Sequence, residues 1–248
     1  MNGNWLEADW PAPPGVHVIS TFRGNPSLGV SQGPWASLNL GDHVGDDPAA
    51  VAENRGRLRK AAGLASEPKW LAQVHGTRVA DLDSAELAGP ADAALTRREG
   101  VACAILTADC LPIVFATESG DAVAAAHAGW RGLAAGVIES TVRSLAAPPE
   151  SLLAWLGPAI SIEHFEVGSE VREAFVRRDL RAGEAFQVNA RGRFMADLGV
   201  LARLQLQSLG VERVYGGGEC TYARTDRYFS YRRDGPTGRQ ATLIWREH

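Results

Sequence analysis

The sequence predicts one domain of mixed α and β structure, of the α/β (α+β) class. Short apolar runs rich in β-branched residues alternate with segments whose apolar residues recur at helical spacing. The chain has 248 residues, of which 45% are hydrophobic and 22% charged, as in ordinary globular proteins. Because the sequence contains no internal repeat, low-complexity linker or shift in composition, residues 1–248 are expected to form a single domain.

The N-terminal part of the chain predicts a strand and a helix separated by a long turn-rich segment. Residues 16–21 (VHVIST) are mostly β-branched and are flanked by glycine and proline on both sides, which favours a strand. A helix is expected from Pro48 to about Ala62, because Asp46 or Asp47 can cap its first turn and proline is well suited to that turn.

The middle of the chain is rich in predicted strands. Residues 69–82 are expected to form two strands that meet at a turn over His75 and Gly76. Continuous apolar runs predict three further buried strands, at residues 101–108, 111–117 and 121–127.

The C-terminal half predicts helices followed by closing strands. Gly129 and Gly132 mark a turn into a helix whose apolar residues keep helical spacing as far as Pro148. Two more helices are expected to begin at Ser169 and Asp197, because both residue types are favourable N-caps. Closing strands are predicted in the segments VERVY, RYFSY and QATLIW, at residues 211–215, 227–231 and 240–245.

Charge and cysteine content exclude several classes of protein. The net charge of −4 lacks the basic excess by which nucleic-acid-binding proteins neutralise phosphates. The three cysteines are odd in number and form no CxxC pair, which argues against a disulfide framework and a four-thiolate zinc module. The sequence shows no export signal or membrane-spanning segment. We therefore expect a cytoplasmic protein with no nucleic-acid or membrane partner, and infer no obligate protein partner.

Three side chains with metal-ligating chemistry lie at or just beyond the ends of apolar strands: His75 in QVHG, Cys110 in TADC and His127 in AHAGWRG. Two imidazoles and a thiolate suit Zn²⁺, and three protein ligands leave the fourth tetrahedral position open. The long separations between the three residues carry little specificity. The residues alone therefore leave open a buried structural cysteine and two hydrogen-bonded histidines.

Several long motifs, in order, resemble the laccase-domain family of purine nucleoside phosphorylases, also known as polyphenol oxidases or peptidoglycan editing factors. The motifs are QVHGTRV, TADCLPIVF, AHAGWRGLAAGV, LGPAIS with FEVGSEV, and CTY…FSYRRDGPTGRQATLIW, and the resemblance extends from residue 37 to the end of the chain. It implies a layered sandwich of mixed β-sheets with flanking helices. It also implies that His75, Cys110 and His127 bind Zn²⁺, with copper possible in the same site.

The resemblance further implies two reactions. One is phosphorolysis of adenosine, inosine, guanosine and methylthioadenosine to base and sugar 1-phosphate, and the other is deamination of adenosine, so purine nucleosides and phosphate are the expected partners. Deamination needs an activated water and a carboxylate that moves protons, and Asp109 is the first candidate for that carboxylate. Neighbours on a regular strand face opposite ways, so this role requires a break at residues 109–110. Otherwise Asp109 is a turn residue or orients a ligand.

Phosphorolysis needs an anion site, for which Arg131 is the best candidate. It is expected at the start of the helix after His127, where free N–H groups, flanking glycines and a guanidinium favour phosphate. Asn39 and Ser37 are candidates for contacts with substrate hydroxyls, although such residues more often cap turns. Weaker anion candidates, at least two of which are expected to be ordinary surface residues, are Arg55, Arg232 and Arg233.

Three other functions remain open from the sequence. A multi-copper oxidase mechanism is disfavoured because the chain has six histidines and none in an HxH pair, although copper in the three-ligand site would give weak polyphenol oxidation. A thiol hydrolase would use Cys110 as nucleophile with His75 or His127 as base, which suits editing of peptidoglycan precursors. A non-enzymatic nucleoside binder is the third.

Overall fold

The structure, a computed structural model, describes residues 4–24, 27–84 and 89–247. Its strands are β1 (Trp5–Glu7), β2 (Val16–Thr21), β3 (Val79–Asp81), β4 (Ala93–Thr96), β5 (Cys103–Thr107), β6 (Leu111–Thr117), β7 (Val123–Ala128), β8 (Leu152–Leu156), β9 (Glu166–Val167), β10 (Phe186–Val188), β11 (Phe194–Ala196), β12 (Arg213–Gly216) and β13 (Gln240–Arg246). Its α-helices are α1 (Pro48–Ala61), α2 (Trp130–Ala135), α3 (Val137–Leu145), α4 (Ser169–Val176), α5 (Leu198–Ser208) and α6 (Tyr231–Asp234).

The described strands form two large sheets and one small one. The first large sheet is antiparallel, with the order β1-β2-β13-β5, so the C-terminal strand lies in its interior. The second is mixed, with the order β12-β8-β6-β7-β4-β3, parallel pairs at its two edges and antiparallel pairs between them. The small antiparallel sheet has the order β10-β11-β9.

The two large sheets pack face to face through apolar side chains, and helices pack on their outer faces. The layer between the sheets includes Val18, Ile105, Val114, Trp155 and Ile244. Residues of α2, α3 and α5 pack on the outer face of the six-stranded sheet, and α1 packs on the outer face of the four-stranded sheet. This arrangement is a layered sandwich of mixed α and β structure, which confirms the predicted fold class.

Many of the predicted elements are confirmed. β2, β5, β6, β7 and β13 form in their predicted segments, and α1 and α5 begin at their predicted caps. The carboxylate of Asp47 accepts the N–H of Ala49, and that of Asp197 accepts the N–H of Val200. The prediction at Ser169 is off by one residue, because Gly168 is the N-cap and Ser169 is the first residue of α4.

Two predicted strands are wrong, and side chains account for both. Within 69–82 only β3 is a strand, because the Gln73 amide bonds both backbone groups of Leu106 and the Asp92 carboxylate accepts the next three N–H groups. Residues 227–231 are not a strand, because the Gln240 amide bonds both backbone groups of Phe229 and Ser230 caps α6. Side chains thus make the hydrogen bonds that a strand ladder would have supplied.

The single helix predicted after Gly129 is two helices. Gly136 has φ of 104°, in the left-handed region that glycine tolerates, and it ends α2 and starts α3. β4 and β8 are apolar segments that the sequence analysis left unassigned, and β1, β9, β10 and β11 have only two or three residues each, too few for a periodic pattern. Among the residues that the structure describes, no helix combines the length and apolar character needed to cross a membrane.

Candidate active site

The three predicted ligands converge. The Sγ atom of Cys110 lies 3.8 Å from Nε2 of His75, and the donor atoms of His75, Cys110 and His127 all lie within 4.8 Å of one another. A tetrahedral zinc ion with ordinary bond lengths separates a sulfur and a nitrogen ligand by about 3.6 Å. The donor types and their spacing therefore fit zinc with one coordination position open.

Strand pairing and one glycine bring the donors together. In the β6–β7 ladder Pro112 is opposite His127, so Cys110, which precedes β6, lies beside the end of β7. Gly129 follows this strand, and a Cβ atom there would lie 2.9 Å from Cδ2 of His75 and 3.0 Å from Sγ of Cys110. Any larger residue at this position would therefore have to displace the side chains of His75 and Cys110.

Asp92, which the sequence analysis missed, connects the two histidines. Its carboxylate is fully buried and accepts hydrogen bonds from Nδ1 of His127 and from the backbone N–H groups of Val74, His75 and Gly76. The available signal was an acidic residue directly before the apolar run of β4, since a buried carboxylate needs partners. Burial raises the pKa of Asp92, but these hydrogen bonds outweigh it and hold that pKa below its usual range.

Cys110 and His127 form a charged pair in the metal-free protein. Burial raises the pKa of the Cys110 thiol, but the charges and hydrogen bonds of His127 and His75 lower it to about 6. Burial lowers the pKa of His127, but the Cys110 thiolate and Asp92 raise it to about 9. The sulfur is thus held as the thiolate, which is the form that binds a metal.

A cleft of about 430 Å³ opens above the three donors, within the size range of sites for small organic ligands. Its polar lining is mainly cationic and comprises His43, Asp109, Arg131, Arg232 and Arg239. Its apolar or aromatic lining includes Trp130, Ile160, Phe165 and Tyr231. The two kinds of side chain are interleaved, because Arg131 lies over the ring of Trp130 and Arg232 over that of Phe165. The cleft can therefore accept a ligand that has both a planar apolar part and an anionic part.

Asp109 lines this cleft together with Cys110. Its φ of 89° breaks the extended backbone between β5 and β6, which is the break that the predicted role requires. Its Oδ1 accepts the Thr221 hydroxyl at 2.7 Å, and its Oδ2 accepts the N–H of Arg232 at 2.7 Å. Each oxygen keeps a second acceptor position for a ligand or water.

Three arginines line the cleft, and they differ in how they are engaged. The guanidinium of Arg131 lies 4.5 Å above the ring of Trp130, and that of Arg232 donates to the carbonyl of Glu166. Arg239, which the sequence analysis missed, is half-buried and donates through one nitrogen to the carbonyls of Thr237 and Gly238. Within the described parts of the chain, neither Arg131 nor Arg239 forms an ion pair with a carboxylate. Both guanidiniums are therefore available to an anion in the cleft.

Asn39 and Arg55 are not among the residues that line the cleft, so their roles as substrate contacts stay predictions. Asn39 is fully buried, and its amide bonds Gly41, the Asp46 carboxylate and the N–H of Arg239. Arg55 donates twice to the carbonyl of Leu40 and lies over Trp70. The protein itself thus occupies the polar groups of Asn39 and holds the guanidinium of Arg55.

Two further candidates, Ser37 and Arg233, also make their hydrogen bonds within the protein. The Ser37 hydroxyl donates to the carbonyl of Arg23. The guanidinium of Arg233 donates to the carbonyls of Thr221, Tyr222 and Tyr228.

The anion site expected at the N-terminus of α2 stays a prediction, and the structure bears on two of its premises. α2 has six residues, so few aligned peptides contribute to its dipole. Its glycines face other parts of the protein: a Cβ at Gly132 would lie 3.0 Å from the carbonyl oxygen of Gly76. These glycines let α2 approach the His75 turn, and an anion would depend on arginine side chains.

Comparison with known proteins identifies the family. Residues 18–247 match the model of a family described as multi-copper polyphenol oxidoreductase laccase. The chain belongs to this laccase family. It is 55% identical over 242 residues to a purine nucleoside phosphorylase of Pseudomonas aeruginosa, covering 97% of this chain and 98% of that one. It is 51% identical over 237 residues to the purine nucleoside phosphorylase YfiH of Escherichia coli, covering 95% and 96%.

Solved structures of the laccase family share the fold. A crystal structure of a Neisseria meningitidis protein superposes with a TM-score of 0.93 at 50% identity, covering 99% of this chain and 100% of that one. The crystal structure of YlmD from Geobacillus stearothermophilus gives a TM-score of 0.89 at 31% identity, covering 100% and 98%.

The described histidines of this laccase-family chain do not form a multi-copper cluster. Among the described residues, the group of His75, Cys110 and His127 is the only set of three or more such side chains whose donor atoms converge. Of the other described histidines, His17 stacks on Trp245, His164 stacks on Tyr222 and His43 lines the cleft. The ligand set is that of one metal ion.

Proposed function

We propose that the chain is a zinc-dependent purine nucleoside phosphorylase that also deaminates adenosine, with adenosine, inosine, guanosine and methylthioadenosine as substrates. The observation that carries the proposal is the convergence of His75, Cys110 and His127 at a cleft that three arginines line. Relatives that match nearly the whole chain are named purine nucleoside phosphorylase, which supports the same activity.

A zinc ion bound in this open three-ligand site would be a Lewis acid able to activate water. His75, Cys110 and His127 would hold it. Asp109 is the proposed proton carrier, because its carboxylate lines the cleft next to Cys110 and is not a member of the ligand group. Thr221 and the N–H of Arg232 hold this carboxylate in place, so that it can take a proton from water and pass it to the leaving amine.

The arginines of the cleft would bind phosphate. Arg131 is exposed at the cleft and Arg239 is half-buried beside Cys110 and Asp109, so the two guanidiniums offer planar donors at different depths. The rings of Trp130, Phe165 and Tyr231 line the same cleft, and the ring faces that Arg131 and Arg232 leave uncovered would offer stacking surfaces for a purine. A nucleoside bound in this way has its sugar between base and phosphate, as phosphorolysis requires.

The Cys110–His127 ion pair is also the arrangement of a thiol nucleophile. The second imidazole favours the metal site, because Nε2 of His75 lies 3.8 Å from the same sulfur and a nucleophile needs only one base. Zinc at full occupancy in freshly purified protein supports the metal site, whereas metal-free active protein that alkylation at Cys110 inactivates would support the thiol hydrolase.

The direct test is to incubate purified protein with adenosine, with and without phosphate, and to identify every product. We expect adenine and ribose 1-phosphate only when phosphate is present, and inosine with ammonia in both conditions. Binding of adenosine without any product, with zinc bound and phosphate present, would contradict the proposal and indicate a nucleoside-binding protein.

A further inference from the structure

The carboxylate of Asp92 makes four hydrogen bonds to the two segments of the chain that carry the histidine donors. Its Oδ1 accepts the N–H of His75 at 2.8 Å and Nδ1–H of His127 at 2.8 Å. Its Oδ2 accepts the N–H of Gly76 at 2.7 Å and that of Val74 at 3.0 Å. The same oxygen atom therefore joins two residues that are far apart in sequence.

We infer that Asp92 is the positioning residue of the metal centre, holding both histidines in their ligating geometry before a metal binds. The inference rests on the metal site of the proposed function and is independent of the substrate. It concerns a side chain that is not in the group of converging donor atoms and that acts through His75 and His127.

For His127, Asp92 determines which ring nitrogen faces the donors. Nδ1 is engaged by the carboxylate, so the proton stays on that nitrogen and Nε2 is left as the ring's donor to a metal. The backbone reinforces this placement, because the N–H of His127 donates to the carbonyl of Asp92 at 2.7 Å. The imidazole is thus fixed at both its backbone and its ring.

For His75, Asp92 holds an unfavourable backbone conformation. His75 has φ of 60°, in the left-handed region that residues other than glycine rarely adopt. Three consecutive N–H groups converge on one carboxylate around this residue, which orients the turn. His75 is exposed, so little packing is available to hold it otherwise.

Replacing the carboxylate by an amide tests the hydrogen bonds of Asp92 without changing the size of its side chain. In Asp92→Asn the side chain keeps its size, but one oxygen becomes an NH₂ group that faces N–H donors of the turn or the imidazole. The matched control is Asp83→Asn. Like Asp92, Asp83 accepts hydrogen bonds from one side chain and from the backbone, here the Thr96 hydroxyl and the N–H of Arg97, but it lies away from the cleft.

The measurement is the zinc dissociation constant, obtained by competition with a chelator at a temperature where each metal-free variant is folded. We expect Asp92→Asn to bind zinc about 10- to 100-fold more weakly than wild type and Asp83→Asn to bind like wild type. The cobalt-substituted Asp92→Asn protein should also show changed visible absorption bands, which report ligand geometry at the metal. Wild-type zinc affinity and wild-type cobalt bands in folded Asp92→Asn would overturn the inference.

A measurement on the wild-type protein keeps the inference testable if Asp92→Asn does not fold. In the cadmium-loaded protein, NMR couplings identify the ring nitrogen of His127 that binds the metal. Coupling through Nε2, with a protonated Nδ1, is the expected result, and coupling through Nδ1 would overturn the inference.

The outcomes separate this inference from the proposed function. Wild-type protein that binds zinc through Nε2 of His127 but leaves nucleosides unchanged would contradict the proposed reaction and leave the role of Asp92 intact. Wild-type protein that binds no zinc would overturn the role of Asp92 itself.

Discussion

Cys110 differs from the other two cysteines in what surrounds its sulfur. Cys103 is buried in β5, and burial raises the pKa of its thiol. Cys220 accepts a hydrogen bond from the Ser161 hydroxyl at 3.0 Å. Only Cys110 lies between two imidazoles, so the metal site should depend on this cysteine alone.

Cys110→Ala should therefore lose zinc and both activities while the protein stays folded, because two imidazoles remain where three ligands are needed. Cys220→Ala, the matched control, should keep its zinc. Metal content and circular dichroism of the two purified variants check this. Full zinc occupancy in Cys110→Ala would remove Cys110 from the ligand set.

Asp109→Asn should keep zinc and lose most of its deaminase activity, by about 10²- to 10⁴-fold, because an amide cannot carry the proton. The Thr221 hydroxyl can rotate to accept from the new NH₂ group, so the local structure is expected to persist. The rate of inosine formation at saturating adenosine measures the effect. Unchanged deamination would exclude Asp109 as the proton carrier.

Arg131→Ala should weaken phosphorolysis far more than deamination, because only phosphorolysis consumes phosphate. Loss of a charge-assisted contact predicts a decrease of about 2–3 kcal/mol in transition-state stabilisation and a higher KM for phosphate. Arg239→Ala should likewise weaken phosphorolysis more than deamination. Arg55→Ala is the control, since Arg55 lies outside the cleft. If both reactions decrease equally with the phosphate KM unchanged, Arg131 does not hold the phosphate.

Elements with an apolar run or a capping residue could be predicted from the sequence. Segments whose backbone hydrogen bonds go to distant side chains could not. β6 and β7 were visible as apolar runs, and Asp47 and Asp197 signalled their helices. The His75 turn was predicted as part of a strand pair, because the carboxylate that shapes it belongs to Asp92, 17 residues further along the chain and directly before β4. Asp92 and Arg239 escaped prediction for the same reason, since each approaches the site only once the sheets have formed.

Gly129→Ala tests the packing of the turn before α2 against the metal donors. The new Cβ would crowd His75 and Cys110, so zinc affinity should decrease. Gly56→Ala is the matched control within α1, where nothing lies within 4 Å of the added atom and helix propensity predicts a gain of about 1 kcal/mol in stability. Zinc titration and thermal unfolding of both variants measure the two effects. Unaltered zinc affinity in Gly129→Ala would show that the close approach is not required.

The sandwich as a whole explains why the cleft lies where it does. β5 belongs to the four-stranded sheet and β6 to the six-stranded sheet, so Asp109 and Cys110 lie on the connection that crosses between them. His127 lies in β7 of the six-stranded sheet, and Arg239 directly precedes β13 of the four-stranded sheet. The cleft therefore combines residues from both sheets with the connection between them, an arrangement that the order of the motifs along the chain does not by itself reveal.

The most direct test of this account is a zinc titration of metal-free protein with adenosine and phosphate present. We predict that formation of adenine and of inosine both rise from near zero and level off together at one zinc ion per chain. Full activity in the metal-free protein, or two products that require different metal stoichiometries, would contradict a single metal-dependent cleft for both reactions.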